Sequence, residues 1–197
     1  GLLFARAGLP VTVFEKHSDF LRDFRGDTVH PSTMEILDQL GLLEAFLMRP
    51  HSRIDTAEVE IEGQVYRLGD LSHLNTPAPF IAMMPQWEFL DFLADEARRY
   101  PHFTLMMEAE VQSIISEGQR VVGVQLTDGK IYSSHGGLVI AADGRRSLVR
   151  RDPALPLKIL GAPMDIFWFA IPKSAAVNGG LRGIIGNGRM MVLIDRN

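Results

Sequence analysis

Two carboxylates at the ends of apolar runs are the residues of this chain best placed for ligand chemistry. Asp143 closes the run Leu138-Val139-Ile140-Ala141-Ala142 and is followed by Gly144 and a basic stretch that contains Ser147 and Arg150. Glu15 closes a shorter run, Val11-Thr12-Val13-Phe14, and is followed by Lys16. In parallel sheets ligands bind at the carboxyl ends of the strands, where a carboxylate can accept hydrogen bonds from sugar hydroxyls. A glycine beside the acid lets backbone approach a phosphate or ribose closely. Each acid can equally end its strand as an ordinary turn or surface residue, and taken singly the two readings stand level. Arg25 lies beside Gly26 in a loop before a helix, where a guanidinium can pair with a pyrophosphate or simply be solvated. Gln86 is the first residue of a well-patterned helix, so its carboxamide can meet a polar ligand near the positive end of the helix dipole, or serve only as a helix start.

Other chemistries are poorly supported. The six histidines (His17, His30, His51, His73, His102 and His135) are scattered at no ligand spacing, so no metal site is expected. His30 next to Pro31 reads as structural, near a helix start. Ser147 has no adjacent His and no Gly-x-Ser-x-Gly elbow, which argues against a nucleophile. The 197 residues contain no Cys, excluding disulfides, thiolate ligands and a Cys nucleophile; this fits a reducing cytoplasm, where the protein is expected to reside. A hydrophobic content of 46%, a charged content of 22% and a net charge of −4 without blocks of like charge describe a globular chain. They give no sign of a nucleic-acid groove or a membrane-binding basic face. No apolar stretch is long enough to span a bilayer.

The elements that must position these residues follow from pattern. Gly1 to Ala7 reads as the last turns of an apolar helix closed by Gly8, so residues are expected to precede Gly1, and others to follow Asn197. A buried strand ends at Glu15. A polar loop runs from Lys16 to Val29, and Ser32 and Glu35 have capping-box spacing for a helix ended by Gly41. Leu42 to Met48 continues as a short helix. Ile54 to Leu68 reads as a hairpin turning at Gly63-Gln64, followed by a Pro-rich link from Asn75 to Pro85. Leu90, Leu93, Ala94 and Ala97 give Gln86 to Arg99 helical periodicity, stopped by Pro101. Strands are expected at 104–107, 110–115, 120–127, 130–133, 138–142 and 166–171, with a last hairpin across Asn187-Gly188-Arg189. The 138–142 run, apolar without alternation, is expected to be a strand buried on both faces. The order suits an α/β mononucleotide-binding core with a β-rich insertion.

Four segments, in this order and spacing, resemble the FAD-dependent aromatic hydroxylases, the group A flavoprotein monooxygenases related to p-hydroxybenzoate hydroxylase. They are Ala7-Gly8-Leu9-Pro10-Val11-Thr12-Val13-Phe14-Glu15-Lys16; Arg25-Gly26 through His30-Pro31-Ser32-Thr33-Met34-Glu35-Ile36-Leu37 with Leu40-Gly41-Leu42; Pro85-Gln86 with Leu90 and Leu93; and Ala142-Asp143-Gly144-Arg145-Arg146-Ser147-Leu148-Val149-Arg150. The resemblance implies an α/β fold: a partial Rossmann-like FAD-binding core with a mostly parallel sheet, and a β-rich substrate-side sheet inserted. Residues 1–52 and 86–152 would form the discontinuous core, and 53–85 and 153–197 the substrate-side region. Phe167, Trp168, Phe169 and the Met pairs would line an apolar pocket there, with alternation sending about half of them inward.

The resemblance also implies roles. Glu15 would hold the adenosine ribose of FAD, with Lys16 in the same cofactor-binding set, and Arg25 would lie along the pyrophosphate and ribityl. Gln86 would bond the ribityl, and Val111 would face the adenine through its backbone. Asp143 and Gly144 would serve both FAD and the approach of NAD(P)H, although Arg145 replaces the small residue usual after that glycine. The implied reaction is hydroxylation of a phenolic or related aromatic compound, with NAD(P)H and O₂, through a flavin C4a-hydroperoxide. Partners would be that small molecule and O₂, with a homodimer as the assembly the family allows and no nucleic acid. The family's Gly-x-Gly-x-x-Gly loop is absent upstream of these segments and its later Gly-Asp motif is absent downstream of Asp143-Gly144; taken alone the 197 residues are expected to bind FAD weakly or not at all and to be inactive. A halogenase or isoprenoid reductase of the same fold, or a non-catalytic flavin-binding protein, is the alternative.

Overall fold

The structure is a computed structural model. It describes residues 1–21, 27–134, 137–144, 147–151, 158, 160–161, 164–169, 171–172 and 181–194. The chain forms two compact units, residues 1–19 with 94–166 and residues 20–93 with 167–197. Both are discontinuous in sequence, and the first boundary falls between Asp19 and Phe20, so that 20–52 cluster with 53–93.

The first unit holds helix α1 (Leu2–Arg6) and strand β1 (Val11–Phe14). Gly8 closes α1 at φ +80°, its N–H donating to Ala5 O and the Leu9 N–H to Phe4 O, the paired bonds of a Schellman cap. β1 pairs in parallel with β7 (Phe103–Met106), Val11 opposite Phe103 and Phe14 opposite Met106. The fully buried Ala5 and the bond from His102 Nε2 to Ala5 O (2.6 Å) tie α1 to the start of β7. Strands β8 (Val111–Glu117), β9 (Arg120–Leu126) and β10 (Ile131–Ser133) form an antiparallel meander. Phe14 packs edge-on against Tyr132 at 5.0 Å, which joins β1 to β10.

The second unit is built on a buried cluster that includes Val29, Met34, Leu37, Phe46, Phe80 and Phe92. Strands β2 (Thr28–Val29) and β3 (Ser52–Ile54) flank β6 (Ile81–Met83) in a three-stranded antiparallel sheet, with helices α2 (Pro31–Gln39) and α3 (Leu43–Leu47) supplying Met34, Leu37 and Phe46. Phe46 is fully buried between Phe89 and Phe92, ring centroids 5.7 Å from each. Burying a side chain of that size stabilises by about 1.5–3 kcal/mol. Helix α4 (Gln86–Arg98) contributes Phe89 and Phe92 to this cluster. A second sheet runs β12-β11-β4-β5, made of β4 (Thr56–Ile61), β5 (Gln64–Asp70), β11 (Leu181–Gly186) and β12 (Arg189–Ile194). β11 is parallel to β4, and its hairpin to β12 turns at Asn187 and Gly188, both at positive φ. Alternation puts Val59, Ile61, Ile185, Met190 and Val192 on one face and Glu58, Glu60 and Arg182 on the other, where Arg182 pairs with Glu60.

Four expectations are corrected. The run Leu138 to Ala142 is not a strand; Leu138 is 77% and Ile140 58% exposed, and no described residue pairs with it. Apolar character makes a strand buried on both faces only where neighbouring strands offer hydrogen bonds, and the parallel pairing of this unit's described residues consists of β1 and β7 alone. Ile166 to Phe169 is likewise exposed and forms no strand, so the aromatic trio Phe167, Trp168 and Phe169 faces solvent. The capping box at Ser32 and Glu35 does not form, because α2 begins two residues earlier: His30 is the cap residue without a side-chain bond, and Pro31 takes the first helical position. The Pro-rich link contains β6, a strand too short to show a pattern.

Candidate functional site

Glu15 follows the last residue of β1, at the carboxyl edge of the parallel pair. Its backbone is fixed on both sides: the N–H donates to Met106 O (2.9 Å), and the C=O accepts from the Ala109 N–H (2.8 Å). The half-buried side chain turns back over the edge, Oε1 accepting the His17 N–H at 3.0 Å. His17 O in turn accepts the Glu108 N–H (2.9 Å), where Glu108 holds a positive φ of 55°. These bonds bring Val111, the first residue of β8, to within two residues of the chain bonded to Glu15. The ladder is irregular between Val111 and Ser113, so Gln112 stands as a bulge just after it. Lys16 is exposed beside this edge.

Asp143 and Gly144 form a turn of their own. Asp143 Oδ2 accepts the Leu148 N–H at 2.7 Å, the Ser147 hydroxyl also bonds the carboxylate, and the Ser147 N–H donates to Gly144 O (3.2 Å). Partial desolvation works to raise the Asp143 carboxyl, but the hydrogen bonds from Ser147 and Leu148, with the Arg150 charge, outweigh it and hold it below the ordinary carboxylate range. Asp143 is thus tied to its own loop and presents Gly144, at φ +74°, on an open face. Ser147, which offered no nucleophile in sequence, is buried and serves this turn.

Gln86 begins α4 in the second unit, half-buried, and its N–H donates to Asp27 Oδ1 at 3.3 Å. Arg25, Arg145 and Arg146 lie outside the described residues. His30 is exposed, and its carbonyl takes the Met34 N–H at the start of α2, a structural place. Asp27 escaped sequence reading because its partner is 59 residues away, beyond the reach of any local spacing rule. Among the described residues no group of three or more His, Cys, Asp or Glu could hold a metal, and no helix is long and apolar enough to cross a membrane.

A flavin dinucleotide needs an acceptor for its ribose diol, close backbone approach and polar contacts along its ribityl chain. Glu15 at a parallel strand end offers the first. At Gly144 a Cβ would meet nothing within 4 Å, which leaves the backbone open to a ligand. Gln86 presents a carboxamide at a helix start. Taken unit by unit, these groups are of the kinds that FAD requires.

Comparison with known proteins agrees. Residues 1–177 match the FAD binding domain family. The chain is 31% identical over 178 residues to 6-methylpretetramide 4-monooxygenase of Streptomyces rimosus, covering 88% of this chain and 42% of that one. It is 27% identical over 180 residues to the uncharacterized aromatic compound monooxygenase YhjG of Bacillus subtilis (strain 168), covering 88% and 35%. The chain therefore spans less than half the length of these relatives. In fold it is similar to PqsL of P. aeruginosa, solved in complex with 2-aminobenzoylacetate, with a TM-score of 0.68 at 22% identity over 83% of this chain and 44% of that one. With a match over residues 1–177 of its 197, the chain belongs to the FAD binding domain family.

Proposed function

We propose that the whole protein is a flavin-dependent monooxygenase that hydroxylates a phenolic or related aromatic compound, using NAD(P)H and O₂. The observation that carries this reading is the Glu15 carboxylate at the carboxyl edge of the β1–β7 pair, its main chain bonded on both sides. When bound, FAD supplies the redox chemistry and oxygen activation, for which no side-chain nucleophile is needed. This chain's residues bind and orient. Glu15 accepts from the adenosine ribose, with Lys16 beside it, and the Val111 backbone meets the adenine. Arg25 pairs with the pyrophosphate, and Gln86 bonds the ribityl hydroxyls. Asp143 shapes the turn at which Gly144 admits the cofactor and the nicotinamide. The apolar face of the β4–β11–β12 sheet, with Val59, Ile185 and Val192, suits an aromatic ring and water exclusion.

The test is the visible spectrum of the whole protein, followed by NAD(P)H and O₂ consumption with and without phenolic effectors. Flavin absorbance and effector-stimulated consumption of both are expected. A colourless protein that gains no flavin absorbance on adding FAD overturns the reading.

A further inference from the structure

Pro85 interrupts the backbone donors between β6 and α4, leaving the Met84 N–H before it and the Gln86 N–H after it. Both end on one residue: Met84 donates to Asp27 O at 3.0 Å, and Gln86 to Asp27 Oδ1 at 3.3 Å. Asp27 is itself fixed by the antiparallel pairing that begins one residue later, Thr28 opposite Met83 and Val29 opposite Ala82. It is half-buried, as is Gln86. Glu88 N–H closes the first turn onto Pro85 O at 3.0 Å. A single aspartate thus takes both backbone donors that flank Pro85, at the start of α4 where Gln86 stands.

We propose that Asp27 is a positioning residue that holds Gln86 for the ribityl hydroxyls of FAD. The inference rests on the reading of Gln86 as a ribityl contact.

The experiment measures FAD affinity of the whole protein by quenching of flavin fluorescence, with near-UV circular dichroism as the check on folding. Asp27→Ala is expected to raise the dissociation constant about fivefold, the size of one lost helix-capping bond. Asp27→Asn, which keeps an acceptor oxygen, is expected to stay within about twofold of wild type. Because Asp27 acts through Gln86, Asp27→Ala combined with Gln86→Ala should bind no more weakly than Gln86→Ala alone. Unchanged affinity in folded Asp27→Ala, no rescue by Asn, or full additivity in the double variant overturns the inference. Wild-type affinity in Gln86→Ala instead overturns the Gln86 reading, and the inference with it.

Discussion

Substitution of Gly144 separates a backbone requirement from a ligand requirement. At φ +74° the residue sits in the left-handed region, where an L side chain costs about 1–2 kcal/mol. The site adds no steric contribution, since a Cβ there meets no atom within 4 Å. Gly144→Ala should therefore destabilise by the backbone cost alone. For a chain of this size that lowers Tm by roughly 2–8 °C. Asn tolerates the left-handed region far better than Ala, so Gly144→Asn should recover most of the loss. Flavin affinity should behave differently. If backbone at this turn approaches the cofactor, both side chains stand in its way, and both variants should bind FAD at least about tenfold more weakly, as expected when a close contact is blocked. The assays are thermal unfolding of the apoprotein and titration with FAD in the whole protein. An Asn variant with wild-type affinity would refute the approach of ligand to Gly144, and an Ala variant with unchanged Tm would refute the strain argument.

Two further perturbations test the first unit. The Asp143 carboxyl is held low in the folded state, so the stability it contributes is present above the unfolded value near about pH 4 and is lost as pH falls through the folded value. Thermal unfolding should therefore show an Asp143→Asn deficit that is constant from neutral pH to about 5 and shrinks below about 4; a deficit that is level down to strong acid would contradict the assignment. Gly123 lies opposite Ser133 in the β9–β10 pair, and a Cβ there would stand 2.5 Å from the Tyr132 carbonyl oxygen. Gly123→Ala should cost about 1–3 kcal/mol by forcing the strands apart, read by urea denaturation, and an equally stable variant would show that β10 can shift freely.

Elements whose own residues decide them were legible in sequence. α4 needed only its apolar spacing and Pro101, and the β4–β5 and β11–β12 hairpins needed only short patterned runs and turn glycines. Segments whose structure depends on a neighbour were not. Leu138 to Ala142 has the composition of a buried strand, but composition cannot supply the adjacent ladder that makes one. Ile166 to Phe169 fails for the same reason. The site divides likewise. The place of Glu15 at a strand end was readable from the apolar run and the acid after it, while the part of Asp143 in closing its own turn needed the bonds from Ser147 and Leu148. Asp27 was invisible because its hydrogen bond joins residues brought near only by the β2–β6 pairing.

In the function proposed above, the β1 strand end binds the adenosine half of FAD. FMN lacks that half, so the most direct measurement compares FAD and FMN affinity in the whole protein, wild type against Glu15→Ala. Losing charge-assisted hydrogen bonds to the ribose should weaken FAD by on the order of ten- to a hundredfold while leaving FMN affinity unchanged. An equal loss for both flavins, or no loss for FAD in a folded variant, would contradict the account.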